Sequence, residues 1–345
     1  MTYQWAIIGA GPAGIAAVGE LIDQGVNPSS IAWIDPNFTV GDFGALWQNV
    51  PSNTKVNLFL KFLNSVDAFE YKTCTENFAL NQADPHHTCR LGMMAEPLQW
   101  VTEQLKKKVK AIKGTAENLA LSERTWKIKL ADQTIAASSV VLATGAVPKN
   151  LAFAEPAIIP LQDAMDSERI HHHCKPEDTV AVFGSSHSAI LVLRNLVESG
   201  VRRVINFYRT PLRYAVYLDD LILFDDTGLK GPTAEWAKEN VDGTLPANLE
   251  RVYSNEANIA HQLPQCDKVV YAVGFDRRTL PVIEGMGPLS YIEECGIIAP
   301  GLFGLGIAYP EGKYNALGIY EYRVGLWKFM DYLQRIVPIW MKYST

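Results

Sequence analysis

Apolar residues in this chain gather in short runs that break on glycine. Residues 5–8, Trp5-Ala6-Ile7-Ile8, are uninterrupted and apolar, Gly9-Ala10-Gly11-Pro12-Ala13-Gly14 follows at once, and a further apolar stretch over 15–22 predicts a helix. A continuous run of this length fits a strand buried on both faces, so the predicted order is strand, glycine loop, helix. A second run over 31–34 ends at Asp35. Farther on, the spacing predicts an amphipathic helix over 96–112, and the alternating stretches 117–121, 125–130 and 133–136 predict a small antiparallel meander. The meander leads into a strand over 140–146 that closes on Ala143-Thr144-Gly145.

The opening pattern then returns. Residues 179–183 are apolar, Gly184-Ser185-Ser186-His187-Ser188-Ala189 takes the place of the glycine loop, 190–199 predicts the helix, and a strand over 204–208 ends at Arg209, with Arg213 close behind. Residues 266–275 run through apolar positions into Gly274, and 300–307 do the same into Gly306. From Leu317 onward, Tyr320, Val324, Trp327, Met330, Ile336 and Trp340 fall near helical spacing, which predicts a buried C-terminal helix. The segment 211–257, with Asp219-Asp220, Asp225-Asp226 and Trp236, matches no motif and reads as a lid over a ligand or an elaborated connection.

The alternation of strands and helices predicts an α/β fold of two Rossmann-like three-layer domains. Residues 1–150 and 279–345 form one discontinuous domain, and 151–278 form a second domain inserted into it. A length of 345 residues accommodates both.

The glycine loops point to dinucleotides. In the first, Gly9 permits a tight turn, Gly11 lets backbone approach a pyrophosphate, and Gly14 lets helix and strand pack closely, while Pro12 and Ala13 lie in the loop before the helix whose free amides face the phosphates. Asp35 follows at the spacing, about 20 residues, where ribose hydroxyls are bound. Its charge disfavours a 2'-phosphate, so this unit suits FAD or NAD. In the second loop Ser186 replaces the glycine at the pyrophosphate approach, and His187 and Ser188 are expected phosphate or loop contacts. Arg209 and Arg213 offer guanidinium groups to a 2'-phosphate, which favours NADPH over NADH.

Charge and cysteine content narrow the function. With 31 Lys and Arg against 37 Asp and Glu, a formal net charge of -6, the chain has no basic footprint for nucleic acid. The N-terminus passes into its first strand with no leader pattern, which predicts a cytoplasmic protein. Residues 324–341 are interrupted by Lys328, Asp331, Gln334 and Arg335, too polar for a membrane span. The 5 cysteines include no C-x-x-C pair, which excludes disulfide-reductase chemistry, and show no metal-ligand spacing. His171-His172-His173 reads as exposed surface, Lys106-Lys107-Lys108 as a solvated helix face, and no nucleophile elbow is present.

Taken together, the two glycine loops, the strand closing on Ala143-Thr144-Gly145, the return at Gly274 and the late run to Gly306 resemble the two-dinucleotide flavoproteins, and among them the flavin-containing monooxygenases. The segment Gly44-Ala45-Leu46-Trp47-Gln48-Asn49-Val50-Pro51-Ser52-Asn53-Thr54 looks like that family's glycine-tryptophan stretch with its Asn-Thr. The resemblance implies FAD in the first domain and NADPH, or NADH, in the second, with Trp47, Asn53 and Thr54 near the flavin. It gives Asn53 the catalytic role of steadying the oxygenated C4a adduct; an ordinary turn at Pro51 and Asn53 is the other reading. The family's F-x-G-x-x-x-H-S motif is missing, and residues 159–165 look more like those of reductases.

Three functions follow. The first is a monooxygenase that passes hydride from NADPH to flavin and oxygenates a small nucleophilic substrate. The second is a reductase delivering electrons to a ferredoxin, flavodoxin or quinone, and the third, suggested by Ser186, is a nucleotide-binding module without turnover. Homodimerisation is left open.

Overall fold

The computed structural model describes residues 2–153, 156–218, 221–286, 290–315 and 317–343; Asp219 and Asp220 lie outside the described residues. The chain begins β1 (Thr2–Ile8), α1 (Pro12–Asp23), β2 (Ile31–Asp35), α2 (Gly41–Ala45), β3 (Pro51–Lys55), α3 (Val56–Asn64), β4 (Thr88–Arg90), α4 (Gly92–Lys108), β5 (Lys110–Lys113), β6 (Asn118–Ser122), β7 (Thr125–Lys129), β8 (Thr134–Leu142) and β9 (Ala146–Pro148). It continues β10 (Ala157–Ile158), α5 (Leu161–Ala164), α6 (Ile170–His173), β11 (Thr179–Phe183), α7 (His187–Glu198), β12 (Arg203–Tyr208), β13 (Val216–Tyr217), β14 (Ile222–Leu223), α8 (Gly231–Asn240), β15 (Leu249–Tyr253), α9 (Glu256–Gln262), β16 (Lys268–Tyr271) and β17 (Phe275–Arg277). It closes with β18 (Val282–Glu284), β19 (Ile297–Ala299), β20 (Leu302–Gly304), β21 (Glu311–Tyr314), β22 (Tyr320–Arg323) and α10 (Leu326–Lys342).

Two compact units result, Met1–Ala146 with Arg277–Thr345, and Val147–Asp276. Each is an α/β unit: the first is built on a mixed sheet whose central strands are parallel and whose β6-β7-β8 meander is antiparallel, the second on a parallel sheet. The sequence reading set the crossings near residues 150 and 278.

In the first unit β1 lies between β2 and β8, parallel to both, with Ile8 level with Ile34 and Leu142. Beyond β2 comes β5, and β20 runs parallel to the last residues of β8. Trp5, Ile7, Trp33 and Val141 are buried with the inner face of α1, and Phe303 stacks on Trp340 of α10 at 4.7 Å. Helix α1 starts at Pro12, three residues before the apolar pattern suggested, because proline's fixed φ suits the first helical position.

Three sequence expectations need correction. The stretch 133–136 and the start of 140–146 are one strand, β8, which ends at Leu142 before the Ala143-Thr144-Gly145 turn; its first half alternates in burial beside the meander while its last residues are buried throughout. That change of period is what divided the pattern in two. The helix expected over 96–112 is α4, which ends at Lys108, because Lys110 to Lys113 pair with β2 instead. Finally, the C-terminal helix begins only at Leu326; Tyr320 belongs to β22, paired antiparallel with β21, and Val324 is exposed. Met330, Ile336 and Trp340 do face the core.

The second unit carries a parallel sheet in the order β10-β16-β11-β12-β15, with Phe183 stacked on Phe207 at 4.6 Å. Part of the unassigned segment 211–257 completes it: β15 pairs in parallel with β12, Asn206 opposite Arg251. Its alternation of apolar and polar side chains, Leu249-Glu250-Arg251-Val252-Tyr253, is weak because β15 is an edge strand with half-exposed residues.

Candidate functional site

In the first unit the parallel strands bring four chain turns to one sheet end. Backbone bonds extend the ladder past the strands: Gly9 N–H donates to the Ile34 carbonyl at 2.8 Å, Ala143 to Ile8 at 2.9 Å, and Leu305 to Leu142 at 3.0 Å. Gly9, Ala143 and the turn before Gly306 are thereby fixed side by side, with Thr144 and Gly145 continuing from Ala143.

Close packing explains two glycines of the loop and leaves the third to a ligand. Gly9 has φ +112°, and a side chain there would meet the Ala143 carbonyl at 2.2 Å; one at Gly14 would meet the Gly9 carbonyl at 2.0 Å. Both collisions are with backbone, so neither position accepts a Cβ. Gly11 is different. Its φ is -76°, and a Cβ would come no nearer to protein than 3.9 Å, from the Val40 carbonyl. The open face over Gly11 lies at the N-terminus of α1, whose first turn has no side-chain cap and no acidic residue. Unpaired amides and a positive dipole end make such a place a cradle for phosphate. Gly306 completes it: at φ +85°, a side chain there would lie 2.8 Å from Ala13 Cβ.

Asp35 ends β2 and is already engaged by backbone amides. Its Oδ2 accepts the Ala10 N–H at 2.8 Å, and its Oδ1 accepts from Asn37 at 2.8 Å and Phe38 at 2.7 Å, so the buried carboxylate ties the glycine loop to the turn after β2. A carboxylate has about four acceptor sites, which leaves room for one ribose hydroxyl.

Trp47, half-buried, and Asn53 and Thr54 stand on the segment that follows. Asn53 and Thr54 lie in β3, paired antiparallel with β4, so the Pro51–Asn53 stretch is a short strand and not an ordinary turn. Thr54 N–H donates to Ser52 Oγ at 2.8 Å, while Asn53 is exposed, its Oδ1 accepting from Thr54 Oγ1 only at 3.4 Å. Among the described residues no hydrogen bond joins Asn53 to the cradle.

The second unit repeats the first two of the bonds that extend the ladder. Gly184, at φ +130°, donates to Phe207 at 3.0 Å, Ala272 donates to Phe183 at 2.8 Å, and a side chain on Gly184 would meet the Ala272 carbonyl at 2.3 Å. Ser186 caps α7 with φ -95° and ψ -172°, close to the -76° and 179° of Gly11, so serine occupies the position without backbone strain. Its exposed side chain narrows the approach but makes no capping bond. Ser188 is half-buried in the first turn, and Gly274, at φ +103°, is exposed with open space around it.

His187 opens α7 with a buried Nδ1 that has no hydrogen-bond partner among the described residues. Burial, and then the charge of Lys230, push its pKa down to about 4, so the ring is neutral at neutral pH. Lys230 in turn bonds the carboxylate and carbonyl of Asp225. Arg209 is exposed and has no hydrogen-bond or ion-pair partner among the described residues, whereas the Arg213 guanidinium lies over the Phe224 ring at 4.6 Å. Of the two expected phosphate partners, only Arg209 stands uncommitted.

Sequence reasoning missed the side chains that hold the glycine carbonyls. Trp33 Nε1 donates to Gly9 at 2.9 Å, and Asn206 Nδ2, fully buried, donates to Gly184 at 2.8 Å. The signal available was one polar residue inside the apolar run 204–208. Elsewhere, the triplet 171–173 ends with His173 paired to Asp163 at 3.0 Å, and Lys108 is not merely solvated, since it bonds Glu70 and the Ala68 carbonyl. Among the described residues no cluster of three or more His, Cys, Asp or Glu is placed to hold a metal, and no helix is long and apolar enough to cross a membrane.

Two dinucleotide cradles on parallel sheets define the two-dinucleotide flavoprotein class, and comparison with known proteins agrees. The chain belongs to the pyridine nucleotide-disulphide oxidoreductase family, whose model matches residues 3–215, and it is an FAD- and NAD(P)H-dependent oxidoreductase. It is 34% identical to monooxygenase AgnR1 of Paecilomyces divaricatus, across 97% of each chain. Similar folds are those of a flavin-containing monooxygenase from Stenotrophomonas maltophilia, with 16% identity over 99% of each chain and a TM-score of 0.66, and a bacillithiol disulfide reductase from Staphylococcus aureus, with 12% identity over 100% of each chain and a TM-score of 0.65.

Proposed function

We propose that this chain is a cytoplasmic, FAD-dependent monooxygenase that is reduced by NADPH and oxygenates a small nucleophilic substrate. The observation that carries the reading is its identity with a monooxygenase along nearly the whole of both chains, joined to the lack of any C-x-x-C pair that could take electrons for disulfide reduction. FAD, when bound, supplies the redox chemistry. The protein's own part is to hold the diphosphate on the amides that follow Gly11, to anchor the adenosine ribose at Asp35, and to present Asn53, a neutral amide able both to donate and to accept, without adding a charge. In the second unit Ser186 and Ser188 would meet the NADPH diphosphate and Arg209 its 2'-phosphate.

Coupling of NADPH oxidation to oxygen tests this. With the true substrate present, oxygen consumed should appear in product; complete recovery as hydrogen peroxide with every nucleophile tried would count against it. A reductase acting on a quinone or redox protein is the second reading, favoured by the missing F-x-G-x-x-x-H-S motif. It predicts fast anaerobic turnover with such an acceptor.

A further inference from the structure

Arg278 and Asp42 meet at the mouth of the first cradle. The Arg278 guanidinium pairs with the Asp42 carboxylate at 2.5 Å, with both side chains about one-third or more exposed, at 40% and 34%. Asp42 lies next to Gly41, and a Cβ on Gly41 would sit 3.1 Å from Gly11 Cα, so this end of the pair rests on the tip of the glycine loop. The other end rests on the Ala143-Thr144-Gly145 turn, where a Cβ on Gly145 would lie 3.9 Å from Arg278 Nε. One ion pair therefore spans from the turn after β8 to the turn above Gly11. A diphosphate lying on Gly11 would be close to the Asp42 end of the pair.

Neighbouring Arg277 strengthens the anchor. Its Nε bonds the Ala308 carbonyl, two residues after Gly306, and its guanidinium lies over Tyr309 at 4.5 Å. The backbone that carries Arg278 is thus tied to the last turn of the same cradle.

We propose that Asp42 and Arg278 are a latch that closes over bound FAD and sets how fast it leaves. Exposed ion pairs contribute little to folding, so stability does not account for a pair in this position. Charge does: a diphosphate arriving at Gly11 would be repelled by Asp42 alone, and Arg278 cancels that repulsion while crossing the exit. The inference rests on the FAD reading of the first unit.

The test is FAD release from the loaded full-length protein after dilution, followed by the fluorescence of free flavin. Arg278→Gln and Asp42→Asn should each speed release roughly tenfold, and the double variant no more than the faster single, the non-additivity of residues acting as one pair. Exchanging the charges, with Asp42→Arg and Arg278→Asp together, should restore slow release, and apoprotein melting should change little throughout. Faster release in Arg278→Gln with unchanged or slower release in Asp42→Asn would overturn the latch, making Arg278 a direct ligand contact. Release at the wild-type rate in both would overturn it too. A wild type that takes up no FAD at all would overturn the cofactor reading and the latch together, and so is distinguishable from failure of the latch alone.

Discussion

Trp33 donates its indole N–H to the carbonyl of Gly9 at 2.9 Å, and the equivalent bond in the other unit runs from Asn206 to Gly184 at 2.8 Å. Each first glycine is turned to a positive φ, and its carbonyl is held by a side chain of the neighbouring strand. Replacing Trp33 with Phe keeps most of the apolar volume but takes the donor from a part-buried carbonyl, which costs about 1 kcal/mol. Lower thermal stability and weaker FAD retention are expected together. A Trp33→Phe protein with unchanged melting would show that the bond does not matter.

Gly11→Ala and Gly14→Ala should fail in different ways. At Gly14 the added methyl meets backbone at 2.0 Å, and overpacking of that kind costs about 1–3 kcal/mol or more, so the apoprotein itself should melt lower. At Gly11 the methyl has space, so the apoprotein should melt normally while FAD affinity falls. Calorimetry of both variants with and without FAD separates the cases.

For the second unit, Arg209→Ala should raise the KM for NADPH by tenfold or more, on the order of the 1.5–3 kcal/mol of a charged hydrogen bond, and leave that for NADH nearly unchanged. Arg213→Ala should do much less, because its guanidinium is committed to Phe224. Steady-state kinetics with both nucleotides decide, and equal losses with NADPH and NADH would remove Arg209 from the phosphate site.

His187 gives the protein an acid-sensitive point. Its folded pKa, about 4, lies below the ordinary 6.5, so protonation favours the unfolded chain. The stability this neutral ring contributes is present in full above pH 6.5 and is lost as the pH falls toward 4. His187→Gln should therefore flatten that part of the melting-temperature profile; parallel profiles for the two proteins would refute the assignment.

Much of this arrangement is legible in the residues because glycine loops, buried strands and their order are local patterns. The ends of β1 and β2 and the repeat of strand and glycine turn at Gly184 appear where the pattern puts them. What was not legible depends on partners far apart in sequence. The bond from the Ala10 amide to Asp35 spans 25 residues and forms only in the folded sheet, and Asp42 with Arg278 joins the two sequence segments of the first unit. Edge strand β15 carries no clear pattern because most of its residues are only partly buried, and β8 reads as two stretches because its surroundings change midway.

The proposed function turns on NADPH delivering its hydride to FAD held on the first glycine loop. Purified protein, reconstituted with FAD and mixed with NADPH in the absence of oxygen, should lose the visible absorption of oxidised flavin within seconds, and regain it when oxygen is admitted. A protein that stays colourless after reconstitution, or whose bound flavin NADPH leaves oxidised, would contradict the account.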